Sequence, residues 1–311
     1  MYLQYHYHLE KVKFKEMIGN KSTIKAYAEL VKFRLTSTVV ATSSFGYIIA
    51  LKYVNGQNWK DYFDWLLFLG VLFGGMLIVF AANGMNQIIE KDNDAKMNRT
   101  SNRPIVEGRI PVAHARIFCW VTGFLGIFTL IGSGAPFLSV LLGALSLIIY
   151  VFIYTPMKQV SPIAVLVGAI PGALPPWIGY TAVVPRMDEL GLILFLIQFF
   201  WQFPHFWAIA WLLHDDYQKA GYWLLPSQGG KDKKSAYQIL IYTVILNLVS
   251  LMPLMYGVSS INAVLVLIPL SLFFFYMAFR LFRSLELIDA RKLLFASFLY
   301  TPVVFLCYIL F

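Results

Sequence analysis

Most of this 311-residue chain consists of apolar runs of about 17 to 25 residues, separated by short polar segments. A helix of that length rises about 1.5 Å per residue and can cross the hydrocarbon core of a bilayer. We therefore predict an all-α polytopic membrane protein with about nine transmembrane helices around a central cavity. The predicted spans are 36–53, 65–89, 115–134, 137–155, 163–183, 190–213, 237–257, 261–282 and 293–311.

The composition agrees with a membrane protein and excludes an ordinary soluble domain. Hydrophobic residues make up 59% of the chain, charged residues 13%, and the mean hydropathy is +0.67. The formal net charge of +9 does not indicate a nucleic-acid partner, because the basic residues can be assigned to one face of a lipid bilayer. Cys119 and Cys307 lie in apolar runs without metal-ligand spacing, and we expect buried thiols there.

The basic residues predict how the chain is oriented. If the N-terminus is inside, only Lys52, Lys60 and Arg186 of the 25 lysines and arginines fall on the outer side. Because basic loops remain inside, we predict an inner N-terminus and an outer C-terminus.

The same reading divides the chain into two parts. Residues 1–34 lack a secretory-signal pattern and are predicted to be a cytoplasmic segment. No linker or charge block interrupts residues 35–311, which we predict to be a single transmembrane domain. The longest loops, 90–115 and 214–236, both fall on the inner side, so we expect function to concentrate there.

A polar ladder follows the second apolar run. Asn86, Glu90 and Asp94 recur at every fourth residue, which places them on one helix face over roughly 12 Å. Hard oxygen ligands at a membrane boundary suit Mg²⁺, which carboxylates usually hold together with substrate phosphates. Basic residues suited to a diphosphate follow the ladder: Lys96, Arg99, Arg103 and Arg109. The alternative is a polar helix end with a solvated basic loop, which leaves the common face unexplained.

A second acidic segment follows the sixth apolar run. Asp215 and Asp216 are adjacent and cannot share one helix face, so we expect only one of them to point at a metal. Facing the ladder across a cavity, the two segments could hold a diphosphate through Mg²⁺ and neutralise it as a leaving group. The predicted catalytic and metal-binding residues are Asn86, Glu90, Asp94, Asp215 and Asp216. The repeated order of apolar run and acidic segment suggests a duplicated four-helix unit.

These residues resemble the UbiA-type intramembrane prenyltransferases, whose first motif has the form Asn-x-x-x-Asp-x-x-x-Asp. Within that family the likeness is to the branch that farnesylates heme, and it extends from about Lys32 to the last helix. Two departures are Glu90 in place of Asp and Gln159 in place of a basic residue. The segments that carry the likeness are Asp94 to Pro104, Tyr154-Thr155, Gly172 to Gly179, Pro204-His205-Phe206-Trp207 and Asp215-Asp216-Tyr217.

The resemblance implies transfer of a farnesyl group from farnesyl diphosphate to a vinyl group of protoheme IX (heme b), giving heme O and pyrophosphate, with Mg²⁺ as cofactor. It also implies a bacterial plasma membrane location with the active site toward the cytoplasm, and heme-pathway or terminal-oxidase assembly proteins as partners. The diphosphate-binding residues are then Lys96, Arg99, Arg103 and Lys158, and the residues on the acceptor side are His205 and Trp207.

Two other functions compete with this interpretation. A prenyltransferase acting on an aromatic or quinone-precursor acceptor would need the same diphosphate site, but the segment around His205 favours heme. A transporter of an anionic lipid would also use polar groups inside a membrane, but paired acidic segments favour a divalent metal. His205 itself has a plainer alternative, a neutral imidazole bonded to a neighbouring helix.

Overall fold

The computed structural model describes residues 22–311, and these residues form helices and loops without a strand. Residues 22–30 are helical and precede α1. The predicted segment 1–34 lies for the most part outside the described residues. The long helices are α1 (Phe33–Asn55), α2 (Trp65–Ile89), α3 (Val112–Gly132), α4 (Phe137–Ile148), α5 (Ala164–Val183), α6 (Glu189–Leu212), α7 (Lys233–Val249), α8 (Val264–Ser284) and α9 (Leu287–Leu310).

Several shorter helical pieces extend the long helices. A π-helix, Ile149–Tyr154, and one more turn, Thr155–Met157, continue α4, and a 3₁₀ helix, Met252–Tyr256, follows α7. Two short helices, Lys91–Asp94 and His214–Lys219, follow α2 and α6 directly. The first of these carries the end of the predicted polar ladder, and the second carries the two adjacent aspartates.

Seven helices in the described part of the chain are long and apolar enough to cross a membrane, which confirms an all-α polytopic architecture. Helices α1 and α5 match the predicted spans 36–53 and 163–183 but are not among these seven. Helix α1 contains several serines and threonines among its apolar residues, and α5 contains three prolines. The seven spans are Trp65–Ile89, Val112–Gly132, Phe137–Met157, Glu189–Leu212, Lys233–Tyr256, Ile261–Ser284 and Leu287–Leu310.

Glycines allow α1 to pack closely against α5. A Cβ added at Gly46 would lie 1.9 Å from the carbonyl oxygen of Pro176, and one at Gly179 would lie 1.9 Å from that of Ser43. The two backbones are therefore in direct contact, as small residues permit inside membranes. This contact holds α1 and α5 together within the bundle.

Contacts between loops define the two ends of the bundle. At one end, the carboxylate of Asp216 accepts hydrogen bonds from the backbone of Asn98 and Arg99. At the other end, Lys52 Nζ donates to the carbonyl oxygens of Tyr308 and Ile309, each at 3.1 Å. The two longest loops thus lie together at one end of the bundle.

Candidate active site

The polar ladder is built where α2 ends. The backbone N–H of Glu90 donates to Asn86 O at 2.9 Å, and that of Asp94 donates to Glu90 O at 2.7 Å, so helical spacing continues beyond Ile89. The three side chains lie on one face and are buried, with exposed fractions of 1%, 4% and 0% for Asn86, Glu90 and Asp94. Two carboxylates held away from water are costly unless they are paired or bind a cation.

Each carboxylate of the ladder has one cation against it. Lys158 Nζ lies 2.9 Å from Glu90 Oε1, and Arg103 Nη1 lies 2.5 Å from Asp94 Oδ2. Burial and the negative charge of Glu90 act oppositely on Lys158: burial lowers its pKa, the charge of Glu90 raises it, and the net result is a raised pKa. Two of the four predicted diphosphate-binding cations therefore lie on the ladder.

The π-helix after α4 brings Lys158 to this position. Thr155 Oγ1 donates to the carbonyl of Tyr150 at 2.8 Å and accepts a hydrogen bond from Asn86 Nδ2 at 3.3 Å. One turn later the ammonium of Lys158 lies 4.5 Å from the centre of the Tyr154 ring. Since π-helical turns are frequent at functional sites, this irregular turn accords with a functional role for Lys158.

Lys32 is a third cation at the ladder, which sequence reasoning assigned no role in the site. Its Nζ donates to Asn86 Oδ1 at 3.4 Å from a partly buried position. The backbone of Lys32 is left-handed, with φ 50° and ψ 54°, a conformation that is uncommon outside glycine. Burial lowers the pKa of Lys32 to about 7, and the positive charges of Arg103 and Lys158 act in the same direction.

The second acidic segment contacts the loop that follows the ladder. Asp216 accepts hydrogen bonds from the backbone N–H groups of Asn98 and Arg99 at 2.9 and 3.2 Å. The guanidinium of Arg99 also donates to Tyr217 Oη at 3.1 Å. Asp215 is exposed and lies 3.0 Å from Lys231, whose hydrogen bond and positive charge lower the pKa of Asp215. The adjacent aspartates thus point in different directions. Among the described residues, the contacts of their carboxylates are with the loop and with Lys231, and none is with Asn86, Glu90 or Asp94.

The remaining predicted residues lie apart from the ladder. Lys96 is exposed, and its Nζ is 3.4 Å from Asn93 Oδ1. His205 in α6 faces α9, where its Nδ1 is 2.8 Å from Ser297 Oγ. Trp207 is buried toward α7, with its ring 5.1 Å from that of Tyr242. His205 and Trp207 therefore face different neighbouring helices.

The ladder has the chemistry needed for a hard divalent cation. Asp94 Oδ1 is buried and has no hydrogen-bond partner among the described residues. Within residues 22–311, no three acidic, histidine or cysteine side chains are grouped so that they could hold a metal alone. A Mg²⁺ ion at Asp94 would thus require further oxygen ligands, which substrate phosphates commonly supply.

Comparison of the sequence with known proteins identifies its relatives. Residues 56–301 match the UbiA prenyltransferase family. A protoheme IX farnesyltransferase of Cytophaga hutchinsonii is 42% identical, with 93% of this chain and 98% of that protein covered. The protoheme IX farnesyltransferase of Flavobacterium johnsoniae is 38% identical, with 95% and 97% covered.

Comparison with solved structures supports the same fold. A digeranylgeranylglyceryl phosphate synthase has a TM-score of 0.74 at 20% identity, over 92% of this chain and 97% of that one. A UbiA homologue from Archaeoglobus fulgidus, bound to GPP and Mg²⁺, has a TM-score of 0.66 at 16% identity, over 91% and 99%. With seven apolar helices in its described part, this protein is a multi-pass membrane protein. The chain belongs to the UbiA prenyltransferase family.

Proposed function

We propose that this protein transfers the farnesyl group of farnesyl diphosphate to a vinyl group of protoheme IX, giving heme O and pyrophosphate. The observation that carries the proposal is the buried ladder of Asn86, Glu90 and Asp94, with Lys158 and Arg103 paired to its carboxylates. The choice of substrates rests on the relatives, which are protoheme IX farnesyltransferases.

The residues of the ladder would hold Mg²⁺ together with the diphosphate. Asn86, Glu90 and Asp94 supply oxygen ligands, and the bound ion would neutralise charge on the diphosphate. Lys158 and Arg103 lie against the same carboxylates, so each can bind a phosphate oxygen close by. Their fixed positive charges stabilise the negative charge that grows on the leaving group.

The reaction exchanges a carbon–oxygen bond for a carbon–carbon bond. The bond from the farnesyl carbon to the diphosphate oxygen breaks, and its electron pair remains on pyrophosphate. The vinyl group of heme attacks the allylic cation through its electron pair, which moves the positive charge onto the porphyrin substituent. Water then adds at that carbon and loses a proton, giving the hydroxylated side chain of heme O. The protein's part is to orient the diphosphate and stabilise its charge.

Asp216 holds the loop that follows the ladder, and its proposed role differs from that of the ladder residues. Asp216 fixes the backbone of Asn98 and Arg99, and the same loop carries Arg103 to Asp94. We therefore propose Asp216 as a positioning residue for this loop. Direct contact of Asp215 or Asp216 with Mg²⁺ is retained as a prediction, as is binding of the diphosphate by Lys96 and Arg99.

His205 and Trp207 are retained as predictions on the acceptor side. His205 lies within α6, where an ionisable residue is by default a candidate for function. It stacks on Trp201, with ring centres 4.5 Å apart. Trp207 packs with Phe203 and Tyr242, so its role would be to shape the wall behind the acceptor.

The topology and location also belong to this proposal. We propose nine spans, with the N-terminus inside, the C-terminus outside and the ladder facing the cytoplasm of a bacterium. The concentration of lysines and arginines in the predicted inner segments supports this orientation. The product would pass to proteins that assemble heme-containing terminal oxidases.

Transfer by the purified protein tests the reaction. The enzyme in detergent or liposomes is incubated with farnesyl diphosphate, heme b and Mg²⁺, and extracted hemes are separated and weighed by mass spectrometry. We expect heme O from the parent protein and none from Asp94→Ala. Prenylation of 4-hydroxybenzoate without prenylation of heme would instead favour an aromatic acceptor. Movement of farnesyl diphosphate across a liposome without any product would favour a transporter.

A further inference from the structure

A polar cavity of about 640 Å³ lies beside the ladder, between the helical residues 22–30 and the loop that contains Arg103. Six charged side chains line it: Lys25, Lys32, Arg103, Arg109, Glu29 and Glu107. Its volume is in the range of small-molecule sites, and a wall with this much charge is unsuited to an isoprenoid chain.

The charges in this cavity do not cancel. Glu29 and Glu107 both pair with Arg109, at 2.7 and 2.6 Å. Within the described residues, Lys25 and Lys32 have no carboxylate within salt-bridge distance. Arg109 is thus paired with two acids and Arg103 is paired with Asp94, which leaves Lys25 and Lys32 as the basic groups of the described wall that can attract a small, highly charged anion.

Two residues in the wall of the cavity also contact the ladder. Lys32 lines the cavity and donates to Asn86 Oδ1 at 3.4 Å. Arg103 also lines it and pairs with Asp94 Oδ2. An anion released at the carboxylates would therefore meet the same two cations on its way into the cavity.

A second cavity, which is lined in part by Lys158, differs from the first in polarity. It measures about 360 Å³, and Lys158 is the one charged residue among the described residues that line it. Val160, Pro162 and Trp223 give it an apolar wall. The two cavities beside the ladder thus differ in polarity, and the first is the one suited to an anion without an apolar tail.

We propose that the first cavity is a second diphosphate site, which receives inorganic pyrophosphate after transfer and leads it to the inner side of the protein. Lys32 and Arg103 bind the anion at the inner end of the cavity, and Lys25 binds it at the mouth. The proposal rests on the proposed function for the origin of the pyrophosphate, but binding of pyrophosphate can be measured without any transfer.

Direct binding of inorganic pyrophosphate is the first test. Calorimetry on the full-length protein, with Mg²⁺ present, should detect two pyrophosphate sites in the parent. In Lys25→Gln both sites should remain, and one of them should bind more weakly. Loss of one exposed cation should reduce affinity at that site about threefold to tenfold. Lys25→Glu should weaken it further. Lys91→Gln is the matched control, because Lys91 is exposed on the neighbouring turn and does not line the cavity.

Product inhibition is the second test. In the parent, added pyrophosphate should inhibit transfer with a component that saturating farnesyl diphosphate does not relieve, and Lys25→Gln should reduce that component. One binding site in the parent, or equal inhibition of the parent and Lys25→Glu, would overturn the proposal. An effect on KM for farnesyl diphosphate alone would assign the cavity to the entering substrate and would also overturn it. Absence of heme O from the parent would contradict the proposed function and leave the binding test valid.

Discussion

At the residue scale, the site depends on two buried ion pairs that are costly to form. Removing Glu90, Asp94, Lys158 and Arg103 from water costs several kcal/mol per ion in general, and mutual attraction recovers only part of it. Apolar residues of similar volume could pack this helix end without that free-energy cost of desolvation. The pairs are therefore better explained by ligand binding, in which carboxylates face a metal and cations face phosphate.

The ladder could be predicted from the sequence because its spacing is local. The residues that contact the ladder and its loop from distant parts of the chain could not be predicted in this way. Asn86, Glu90 and Asp94 follow from a period of four in one helix. Lys32 is 54 positions from Asn86, and Asp216 is 118 positions from Asn98, so their contacts depend on how distant helices pack. The one sequence feature that could have indicated a role for Lys32 is its position immediately before α1. A lysine at that position is equally expected to be solvated.

Asp94→Ala should reduce farnesyl transfer by at least about 100-fold, because it removes an oxygen ligand and leaves Arg103 without its partner. The rate of heme O formation measures the effect, and size-exclusion chromatography checks that the protein remains folded. Asp92→Ala is the matched control, since Asp92 is exposed in the same short helix. Near-parental activity of Asp94→Ala would contradict the assignment of the ladder.

His205→Ala should lower heme transfer by about tenfold, the loss associated with roughly one hydrogen bond to a buried group. Binding of farnesyl diphosphate, measured separately, should remain, since His205 faces Ser297 and not the ladder. His114→Ala, at an exposed position, serves as control. Equal loss of heme transfer and of farnesyl diphosphate binding would identify His205 as a folding residue, and unchanged transfer would leave it as packing.

At the element scale, the apolar runs predicted the helices well because hydropathy along one helix is a local property. The predicted span 65–89 coincides with α2, and 190–213 is displaced by one residue from α6. The π-helix at Ile149–Tyr154 could not be predicted, since its sequence is an ordinary apolar run. That turn nevertheless decides where Thr155 and Lys158 point.

The two helices that carry acidic segments share local structure. Asp64 caps the start of α2 and Asp188 caps the start of α6, each through a hydrogen bond from the residue three positions later. A single residue then separates each helix from a short helix that bears acidic residues. Since Asp232 caps α7 in the same way, the caps do not set α2 and α6 apart, and the predicted duplication remains a prediction.

Gly179→Ala should destabilise the protein by about 1 to 3 kcal/mol, because the new methyl group would overlap the backbone of Ser43 and separate α1 from α5. Thermal unfolding in detergent measures the change. Gly75→Ala in α2 is the control, since a Cβ there meets no atom within 4 Å. Equal stability of the two variants would show that α1 does not pack on α5 as described.

Asp216→Ala should loosen the loop after the ladder, because the N–H groups of Asn98 and Arg99 lose their acceptor. Hydrogen exchange at these two amides should accelerate about fivefold to tenfold, the factor expected for roughly 1 kcal/mol. If Asp216 is a positioning residue, the Mg²⁺ concentration for half-maximal activity should stay close to that of the parent protein. A large rise in that concentration with unchanged exchange would instead identify Asp216 as a metal ligand.

At the scale of the whole molecule, the distribution of basic residues and the contacts between distant residues both distinguish one end of the helix bundle from the other. By the predicted spans, most lysines and arginines of the sequence fall at the end that contains Asp216 and Arg103. Lys52 binds the end of α9 at the other end. Which end faces the cytoplasm depends on the membrane and its potential, so it follows from the positive-inside rule alone. The number of crossings depends on α1 and α5, which match predicted spans but are not among the seven helices that are long and apolar enough to cross a membrane.

Cysteine labelling tests both orientation and crossings. Cys119 and Cys307 are free and buried, so the parent should give a low background with an impermeant maleimide. We expect Ser101→Cys and Gln159→Cys to react only in inverted vesicles, and Asn58→Cys and Met187→Cys to react only in intact cells, since nine spans place these pairs on opposite sides. Transfer activity confirms that each variant is folded. Labelling of Gln159→Cys and Met187→Cys from the same side would show that α5 does not cross the membrane, and labelling of Ser101→Cys in intact cells would reverse the proposed orientation.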